Sequence, residues 1–311
     1  MTDTPVVTIQ CLVYNHEPYL RQCLDGFVMQ KTNFPYEAIV HDDCSTDQSA
    51  AIIREYAEKY PDIIKPIYES ENQYSKKDGR LVEIMNEHTR GRYVAFCEGD
   101  DYWTDPYKLQ KQVEILEKDD SITMVYTGFN TVDFNSKPII RPNHEYIKQH
   151  APSGDIFGVL MERNYVMTLT MCIRREILHT DSYLQSPFKY DYTVACDAAL
   201  HGKVIFLPAE TGCYRKNPDS LMNTSGKEVG QHLLQVFRYY ALLFVTTATG
   251  MPRSRYKRIQ VIHHILKFII QCDVPFLHTF LKKSHSTIPY FVFGYAKLTW
   301  LFRRVYNKIA P

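Results

Sequence analysis

The first 120 residues alternate between short apolar runs and longer segments in which apolar residues recur at helical spacing. The apolar runs predict strands at residues 6–13, 37–41, 63–68 and 93–97. The longer segments predict helices near residues 18–29, 47–60 and 81–88. Ser45 lies three residues before Gln48, which predicts a capping box at the start of the second helix. Strand–helix alternation predicts an α/β fold whose central sheet is mostly parallel.

A polar cluster follows each of the four predicted strands. The clusters read YNHE at 14–17, DDCSTD at 42–47, ESENQYS at 69–75 and EGDD at 98–101. Ligands of open α/β sheets bind beyond the carboxyl ends of the strands. We therefore expect the four clusters to line one crevice.

The pattern is mixed beyond residue 118. It predicts further strands at residues 123–127, 168–173 and 204–207. It also predicts a helix at 192–200 and a long apolar helix at 230–249.

The EGDD cluster places the carboxylates of Glu98, Asp100 and Asp101 within four positions. Crowded carboxylates repel one another unless a positive charge offsets them. A divalent cation binds carboxylate oxygens and leaves positions open for phosphate oxygens. Gly99 leaves room for a ligand beside the backbone. The cluster therefore indicates a metal–phosphate site, and the alternative is a solvated acidic turn that caps the next helix.

The DDCSTD cluster offers two neighbouring carboxylates, Asp42 and Asp43. An aspartate can accept hydrogen bonds from a base N–H or a ribose hydroxyl, and Tyr14, leaving the adjacent strand, can stack on a base. Ser45 and Asp47 fit better as helix caps. The alternative is a strand end and a cap without a ligand.

Two aspartates are candidates for a general base in the second half of the chain. Asp191 lies just before the helix predicted at 192–200, and Asp197 follows six residues later. Residues six apart on a helix do not share a face, so at most one of them points into a given crevice. A carboxylate at a helix N-terminus is also an ordinary cap.

The charge distribution separates the C-terminal segment from the rest of the 311-residue chain. The formal net charge is +1, but residues 251–311 contain eleven Lys and Arg against one acid. This basic and apolar segment predicts either a helical cap on the domain or, through residues 253–308, contact with an anionic membrane surface. No nucleic-acid-binding motif accompanies it, and we expect no nucleic-acid partner.

Cysteine spacing and the N-terminal sequence indicate a compartment. The eight cysteines include no C-x-x-C pair, which favours a reducing environment. The first segment lacks the basic region of a signal peptide, and no run reaches the ~18 apolar residues of a spanning helix. We therefore expect a cytoplasmic protein.

Three blocks together resemble a known family. VVTIQCLVYNHEPYLRQCLDGFVMQ, YEAIVHDDCSTD and YVAFCEGDDYW are similar to the inverting nucleotide-sugar glycosyltransferases of the family-2 type, which have the GT-A fold. The resemblance covers about residues 5–220 and is closest to bacterial enzymes of surface-glycan synthesis. It implies a GT-A domain at 1–225, with a donor half at about 1–120 and an acceptor half at about 121–225. A helical, basic and apolar region would follow at 226–311.

The resemblance implies a metal ligand and a catalytic base. Glu98-Gly99-Asp100 stands in the place of the family's D-x-D motif, so Asp100 would bind Mn²⁺ or Mg²⁺ and Glu98 would face the ribose. Asp191, eleven residues before Gly202, stands in the place of the catalytic base.

The resemblance also implies binding residues. Tyr102 and Trp103 would form an apolar platform for the acceptor sugar. The segment YRKNPDSL resembles a loop that reads Y-R-x-H-P-x-S, but Asn217 replaces the histidine and no chemistry is assigned to it. Donor binding is expected of Tyr14, Asn15, Glu17, Asp42, Asp43, Gln73, Glu98, Gly99 and Asp101.

The implied activity is transfer of a sugar from a nucleotide-diphospho-sugar to a hydroxyl of a glycan or lipid-linked acceptor, with inversion of the anomeric centre. Capsule, lipopolysaccharide or exopolysaccharide synthesis at the inner face of the bacterial cytoplasmic membrane is the expected setting. A nucleotidyltransferase is one alternative, although no glycine-rich phosphate loop follows the first strand. The other alternative is a non-catalytic, membrane-associated sugar-binding scaffold.

Overall fold

The computed structural model describes residues 4–160 and 163–217, together with residues 232, 235, 236, 239, 240 and 243. The chain divides into two compact units, Met1–Val236 and Phe237–Pro311. The helices and strands that are given below with their bounds belong to the first unit. The predicted basic segment 253–308 and most of the predicted helix 230–249 lie outside the described residues. The predicted domain boundary at 225/226 stays a prediction.

Eight strands and eight α-helices make up the described part of the fold. The strands are β1 Val7–Val13, β2 Tyr36–Asp42, β3 Ile64–Tyr68, β4 Tyr93–Phe96, β5 Tyr102–Trp103, β6 Ile122–Val132, β7 Cys172–Arg174 and β8 Lys203–Arg215. The helices are α1 Glu17–Val28, α2 Ser49–Lys59, α3 Arg80–His88, α4 Lys108–Leu116, α5 Pro142–Gln149, α6 Phe157–Leu160, α7 Asp181–Leu184 and α8 Asp191–His201. Short 3₁₀ turns occur at Tyr74–Lys76, Thr168–Thr170 and Arg175–His179.

The strands form one mixed sheet in the order β3-β2-β1-β4-β7-β6-β8-β5. Strands β3, β2, β1 and β4 are all parallel. Strand β7 is antiparallel to both of its neighbours, whereas β6 and β8 are parallel. The α/β class is confirmed, and the parallel half of the sheet brings the first four strand ends to one edge.

The core is built where α1 packs on the sheet. Val7, Ile9 and Cys11 of β1 are fully buried, as expected for a central parallel strand that is covered on both faces. Helix α1 lies so close to β5 that a Cβ atom on Gly26 would be 2.9 Å from the backbone nitrogen of Trp103. A side chain at position 26 would therefore push the helix away from the strand.

Several local predictions were wrong. The capping box is absent because α2 begins at Ser49, and the Ser45 hydroxyl instead accepts a hydrogen bond from another loop. The strand predicted at 168–173 is a 3₁₀ turn followed by the shorter β7. Helix α4 was not predicted, although it packs on β6 and β7. Strands β6 and β8 extend well beyond the predicted segments because they pair with each other along most of their length.

Candidate active site

The predicted strand-end clusters meet at one edge of the sheet. Val13, the last residue of β1, pairs with Asp42 of β2, and Asp42 pairs with Tyr68 of β3. The EGDD turn follows β4 on the other side of β1, and the backbone N–H of Gly99 donates to the carbonyl of Leu12 over 3.0 Å. The topology thus assembles the predicted crevice edge from four separate segments.

Asn15 and Glu17 interlock the loops that follow β1 and β2. The backbone N–H of Asn15 donates to Ser45 Oγ (2.9 Å), and the Asn15 side-chain oxygen accepts a backbone N–H of the other loop (2.8 Å). Glu17 donates its backbone N–H to Asp47 (3.0 Å) and accepts from the backbone of Gln48 (3.1 Å). These two predicted donor-binding side chains therefore hold the rim of the crevice in shape.

Tyr14 stands beside these loops with an accessible ring. Its side chain is 47% exposed at the end of β1. An exposed aromatic ring at this edge is available for stacking on a flat ligand.

Asp43 and Gln73 form a second brace. The two carboxylate oxygens of Asp43 accept the backbone N–H groups of Gln73 (2.7 Å) and Tyr74 (3.0 Å). Asp42 accepts from the backbone of Ser45 (3.3 Å), and its other oxygen is buried without a hydrogen-bond partner among the described residues. The two aspartates thus differ, because Asp43 is engaged through both oxygens and Asp42 keeps one unused acceptor.

The lack of a side chain at Gly99 makes room for protein atoms. A Cβ atom there would lie 2.7 Å from His16 Nδ1 and 3.0 Å from Val13. The glycine therefore allows the EGDD turn to pack against the end of β1, which differs from the expected approach of a ligand.

Glu98 and Asp100 are the acidic side chains of the turn that solvent reaches, whereas Asp101 is buried. Glu98 is exposed to solvent, but the surrounding protein atoms partly desolvate its carboxyl group. This desolvation, together with the charges of Asp100 and Asp191, raises the pKa of Glu98 to about 8. Asp191 is therefore within electrostatic reach of the turn, although it lies 93 residues later in the sequence.

A divalent cation fits this pair of carboxylates. No described residue donates a hydrogen bond to the Asp100 carboxylate. The charges of Asp100 and Asp191 add to the desolvation that raises the pKa of Glu98, so a cation at this point would relieve part of the repulsion. The described residues contain no group of three or more His, Cys, Asp or Glu side chains arranged to hold a metal ion. A cation at Asp100 and Glu98 would therefore need further oxygens from a phosphate group and from water, as Mg²⁺ commonly does.

Asp101 is buried, and its Oδ1 accepts the backbone N–H of Arg215 over 2.7 Å. Burial, followed by the charges of Asp100 and Glu98, raises the pKa of Asp101 well above its usual range. The predicted contact of Asp101 with a donor stays a prediction. Oδ2 of Asp101, like one oxygen of the equally buried Asp42, has no hydrogen-bond partner among the described residues.

Asp191 is the first residue of α8, and its carboxylate is held by two donors. The Tyr192 N–H donates to Oδ1 (2.7 Å), and the Thr168 hydroxyl donates to Oδ2 (3.0 Å). Burial raises the pKa of Asp191, and these two hydrogen bonds act in the opposite direction. Asp197 is fully buried and accepts from Thr180, so the two aspartates have different surroundings, as their six-residue spacing predicts.

Arg215 is a buried cation beside the acidic turn that sequence reasoning missed. Its Nε donates to the carbonyl of Asp100 (2.7 Å), and its Nη2 donates to Gln22 Oε1 (2.6 Å). Its Nη1 donates to Ser136 Oγ (2.9 Å) and approaches the carbonyls of residues 133 and 134. One guanidinium group therefore ties the EGDD turn to α1 and to the turn that follows β6.

Two aromatic rings cover the same guanidinium. Its carbon lies 4.6 Å from the centroid of Tyr19 and 5.3 Å from that of Tyr102. The positive charge of Arg215 lowers the pKa of Asp101 and so opposes the effect of burial. It reduces part of the repulsion expected between the carboxylates of Glu98, Asp100 and Asp101. The sequence signal for Arg215 was the Y-R pair of the YRKNPDSL segment.

His16 is the second residue that sequence reasoning missed. Its Nδ1 is buried against Gly99 and has no hydrogen-bond partner among the described residues. Burial lowers the pKa of His16, and the charges of Asp100 and Asp47 raise it in part. Nδ1 of His16 is therefore a buried ring nitrogen near Asp100 that forms no hydrogen bond with the described residues.

Trp103 lies in the core, which contradicts its predicted place on an acceptor platform. It is 2% exposed, its Nε1 donates to the carbonyl of Leu169 (2.9 Å), and its ring meets Phe27 edge to face. Lys108 Nζ lies 4.5 Å from the ring centroid. Tyr102 is half-buried under Arg215. The Trp103 ring is therefore closed to a sugar.

No helix in the described part of the chain is both long and apolar enough to cross a membrane.

Polar groups at the carboxyl ends of parallel strands, with a further carboxylate nearby on a separate helix, lie where open α/β sheets bind their ligands. Residues 9–179 match the model of the family described as Glycosyl transferase family 2. The matched segment contains the EGDD turn and ends before Asp191. The chain belongs to glycosyl transferase family 2, and this membership favours glycosyl transfer over the nucleotidyltransferase alternative.

Curated relatives support the family assignment. The uncharacterized protein Rv1520 of Mycobacterium tuberculosis is 31% identical over 220 residues, which cover 70% of this chain and 61% of that protein. A Bacillus subtilis protein, TuaG, whose name suggests a glycosyltransferase of teichuronic acid biosynthesis, is 30% identical over 174 residues, covering 55% of this chain and 63% of that protein. The chain thus spans about three fifths of the length of these relatives.

Solved structures share the fold. Staphylococcus aureus TarS 1-349 in complex with UDP-GlcNAc aligns with a TM-score of 0.58 and 16% identity, covering 90% of this chain and 76% of that chain. The mannosyltransferase PcManGT of Pyrobaculum calidifontis, in complex with GDP-Man and Mn²⁺, aligns with a TM-score of 0.53 and 18% identity, covering 99% and 88%. At these identities the likeness concerns the fold alone, and it confirms the expected GT-A-type architecture.

Proposed function

We propose that the protein transfers a sugar from a nucleoside-diphosphate sugar to a hydroxyl group of a glycan or lipid-linked acceptor, with inversion at the anomeric carbon. One observation carries this proposal beyond family membership. Asp191 accepts a hydrogen bond from Thr168, which belongs to the 3₁₀ turn that contacts β4, the strand that leads into the EGDD turn, and its charge contributes to the raised pKa of Glu98. This neighbourhood of a candidate base and a candidate metal turn supports the proposal.

Asp191 is the general base of the proposed reaction. It takes the proton from the acceptor hydroxyl, whose oxygen attacks the anomeric carbon on the side opposite the leaving nucleoside diphosphate. The two hydrogen bonds from Tyr192 and Thr168 fix the direction of the carboxylate. Its burial raises its proton affinity and favours proton transfer once the group is ionised.

Asp100 and Glu98 would hold a divalent cation, Mn²⁺ or Mg²⁺. When bound, such a cation supplies Lewis-acid neutralisation of the charge on the leaving diphosphate. The contribution of this chain is a carboxylate at Asp100 that is not consumed by internal hydrogen bonds and a backbone that Arg215 fixes through the Asp100 carbonyl. The Mn²⁺ in the PcManGT complex supports a cation in this fold.

The nucleotide would bind on the β1–β2–β3 side of the turn. Tyr14 offers an exposed ring to the base, and the unused oxygen of Asp42 is an acceptor for a base N–H or a ribose hydroxyl. Asn15, Glu17 and Asp43 contribute by bracing the loops. The complexes of TarS with UDP-GlcNAc and of PcManGT with GDP-Man support a nucleotide sugar as the donor.

Surface-polysaccharide synthesis at the inner face of a bacterial cytoplasmic membrane is the proposed setting. The name of the relative TuaG supports a polysaccharide product. The eleven basic residues of segment 251–311 support attraction to anionic lipid. Sedimentation of the full chain with phosphatidylglycerol-containing vesicles tests the setting, and equal recovery with neutral vesicles would count against membrane attachment.

A panel of nucleotide sugars tests the proposed activity directly. The melting temperature of the full chain is measured with UDP-GlcNAc, UDP-glucose, UDP-galactose or GDP-mannose, each with Mn²⁺ and each with EDTA. A true donor raises the melting temperature in the presence of Mn²⁺, because ligands that bind the native state stabilise it by mass action. The same donor should then release its nucleoside diphosphate slowly by hydrolysis. A chain that binds a nucleotide sugar without ever cleaving it would be a sugar-binding scaffold.

A further inference from the structure

We propose that Phe134 forms the platform on which the ring of the acceptor sugar stacks, a role that the burial of Trp103 leaves vacant. This inference rests on the proposed glycosyl transfer and names a residue that selects its acceptor. A pyranose ring presents an apolar face of C–H groups, and exposed aromatic side chains bind such faces by area and by quadrupole attraction.

Phe134 lies next to the metal turn through one shared side chain. Its backbone carbonyl accepts a hydrogen bond from Arg215 Nη1 (3.4 Å), and Nε of the same guanidinium donates to the carbonyl of Asp100 (2.7 Å). A single guanidinium group therefore contacts both the backbone of Phe134 and the backbone of Asp100, the proposed metal ligand.

Phe134 lies on the side of the turn expected for an acceptor. The proposed nucleotide-binding residues Tyr14 and Asp42 end β1 and β2, whereas Phe134 follows β6. In the sheet, β4 and β7 separate β1 from β6, so the two groups of residues flank the turn after β4. Asp191, the proposed base, also comes from the half of the chain that follows β5. An acceptor must approach on this side to reach that base.

The turn that carries Phe134 is preorganised. Asp133 Oδ1 accepts the backbone N–H groups of Asn135 (2.8 Å) and Lys137 (2.9 Å), and the Asp133 N–H donates to the Lys137 carbonyl (2.9 Å). Ser136, with a φ of 64°, hydrogen-bonds to Arg215 over 2.9 Å. A turn held this firmly can present a ring with little further loss of conformational entropy on binding.

The Phe134 ring is open to a ligand. The residue is 51% exposed, so much of the ring is accessible on a rigid turn. Tyr107 provides a matched control, since it is 47% exposed but lies over Lys31, just beyond the C-terminal end of α1. The N-terminal end of α1 carries Glu17, whose backbone N–H donates to Asp47 of the loop after β2.

Saturation-transfer NMR on the full chain tests the platform. The probes are methyl N-acetyl-β-D-glucosaminide and methyl β-D-galactopyranoside, with UDP and Mn²⁺ present. In the wild-type protein the ring protons of one apolar sugar face should receive more saturation than the methyl group. The saturation-transfer signal should be at least about fivefold weaker with Phe134→Ala than with the wild-type protein. Phe134→Trp should keep the signal, and Tyr107→Ala should leave it unchanged.

The controls separate this inference from the proposed function. Equal saturation in the wild-type and Phe134→Ala proteins, or none in the wild-type protein, would overturn the platform. The melting temperature with Mn²⁺ and the nucleotide-sugar panel is measured on the same samples and reports the donor side alone. Failure of every donor would contradict glycosyl transfer, whereas loss of the glycoside signal with intact donor binding would contradict only the assignment of Phe134. A circular-dichroism spectrum confirms that Phe134→Ala is folded.

Discussion

The backbone N–H of Arg215 donates a hydrogen bond of 2.7 Å to Oδ1 of Asp101, which joins two residues 114 positions apart in the chain. The guanidinium group of Arg215 then returns to the carbonyl of Asp100. The end of β8 and the turn after β4 are therefore locked together at the acidic edge of the sheet. These contacts position the backbone of Asp100, and no described residue donates a hydrogen bond to its carboxylate.

Replacing Arg215 should destabilise the turn that follows β4, because its guanidinium group holds the Asp100 carbonyl. Arg215→Met should lower the free energy of unfolding by about 3–5 kcal/mol, because it removes the donor of the hydrogen bonds to the Asp100 carbonyl, Ser136 and Gln22 and leaves these partly buried acceptors without it. Arg215→Lys should lose less stability, since it keeps the charge but not the planar set of donors. Urea unfolding measures both effects.

The control for this prediction is the same substitution in a surface pair. Arg21 is half-exposed and pairs with Glu55 over 2.6 Å, so Arg21→Met should change the free energy of unfolding by less than about 1 kcal/mol. Equal losses for Arg21→Met and Arg215→Met would show that the buried network is no more important than a surface ion pair.

Lys108 should make stability depend on alkaline pH. Its side chain is fully buried against Trp103 and hydrogen-bonds to Gln112, and burial lowers its pKa from 10.5 to about 8. Because the unfolded chain keeps this proton up to a higher pH than the native state, the free energy of unfolding rises with pH between 8 and 10.5. The full rise corresponds to roughly 3 kcal/mol.

The Lys108→Met variant isolates this effect from the other titrating groups. The difference in free energy of unfolding between wild type and Lys108→Met, measured by urea unfolding from pH 7 to 9.5, should shift in favour of the wild type above pH 8. A difference that stays flat across this range would show that Lys108 remains protonated in the native state throughout, as in the unfolded chain.

The strands, the crevice edge and most of the candidate residues could be predicted from the sequence because they depend on local patterns. Each of the first four strands is a short apolar run, and a parallel sheet brings their polar ends together whatever the details of packing. Asp191 could be predicted only through the family resemblance, since a carboxylate at a helix N-terminus is otherwise an ordinary cap.

The environment of Trp103 could not be predicted, because it depends on contacts between distant segments. Strand β5 has only two residues, and Trp103 pairs with Gly212 of β8. A Cβ atom at Gly212 would lie 2.8 Å from the carbonyl of Tyr102, so this close approach needs a glycine that is more than 100 residues away. A pattern within EGDDYW contains no information on that pairing, and Arg215 was missed for the same reason.

Removing the Asp100 carboxylate should abolish the cation-dependent part of donor binding. In Asp100→Ala, the increase in melting temperature that a donor produces with Mn²⁺ should fall to the value seen with EDTA. At a donor concentration of 100 times the dissociation constant, the stabilisation lost is about 2.7 kcal/mol.

Asp120→Ala is the matched control for Asp100→Ala. Asp120 is fully exposed and has a weak ion pair with Arg174 at 3.3 Å, so its loss should leave the donor response unchanged. An Asp100→Ala protein that keeps the full Mn²⁺-dependent shift would remove Asp100 from the proposed metal site.

Asp191→Asn tests the central claim most directly, because the substitution keeps the shape of the side chain and its place at the start of α8. The rate of nucleoside-diphosphate release from the donor identified by the panel is measured together with donor binding, and Asp197→Asn on the same helix serves as the control. The account predicts unchanged donor binding and a rate about 10²–10⁴ times lower for Asp191→Asn. It predicts a near-normal rate per folded molecule for Asp197→Asn. A near-normal rate in Asp191→Asn would contradict the account.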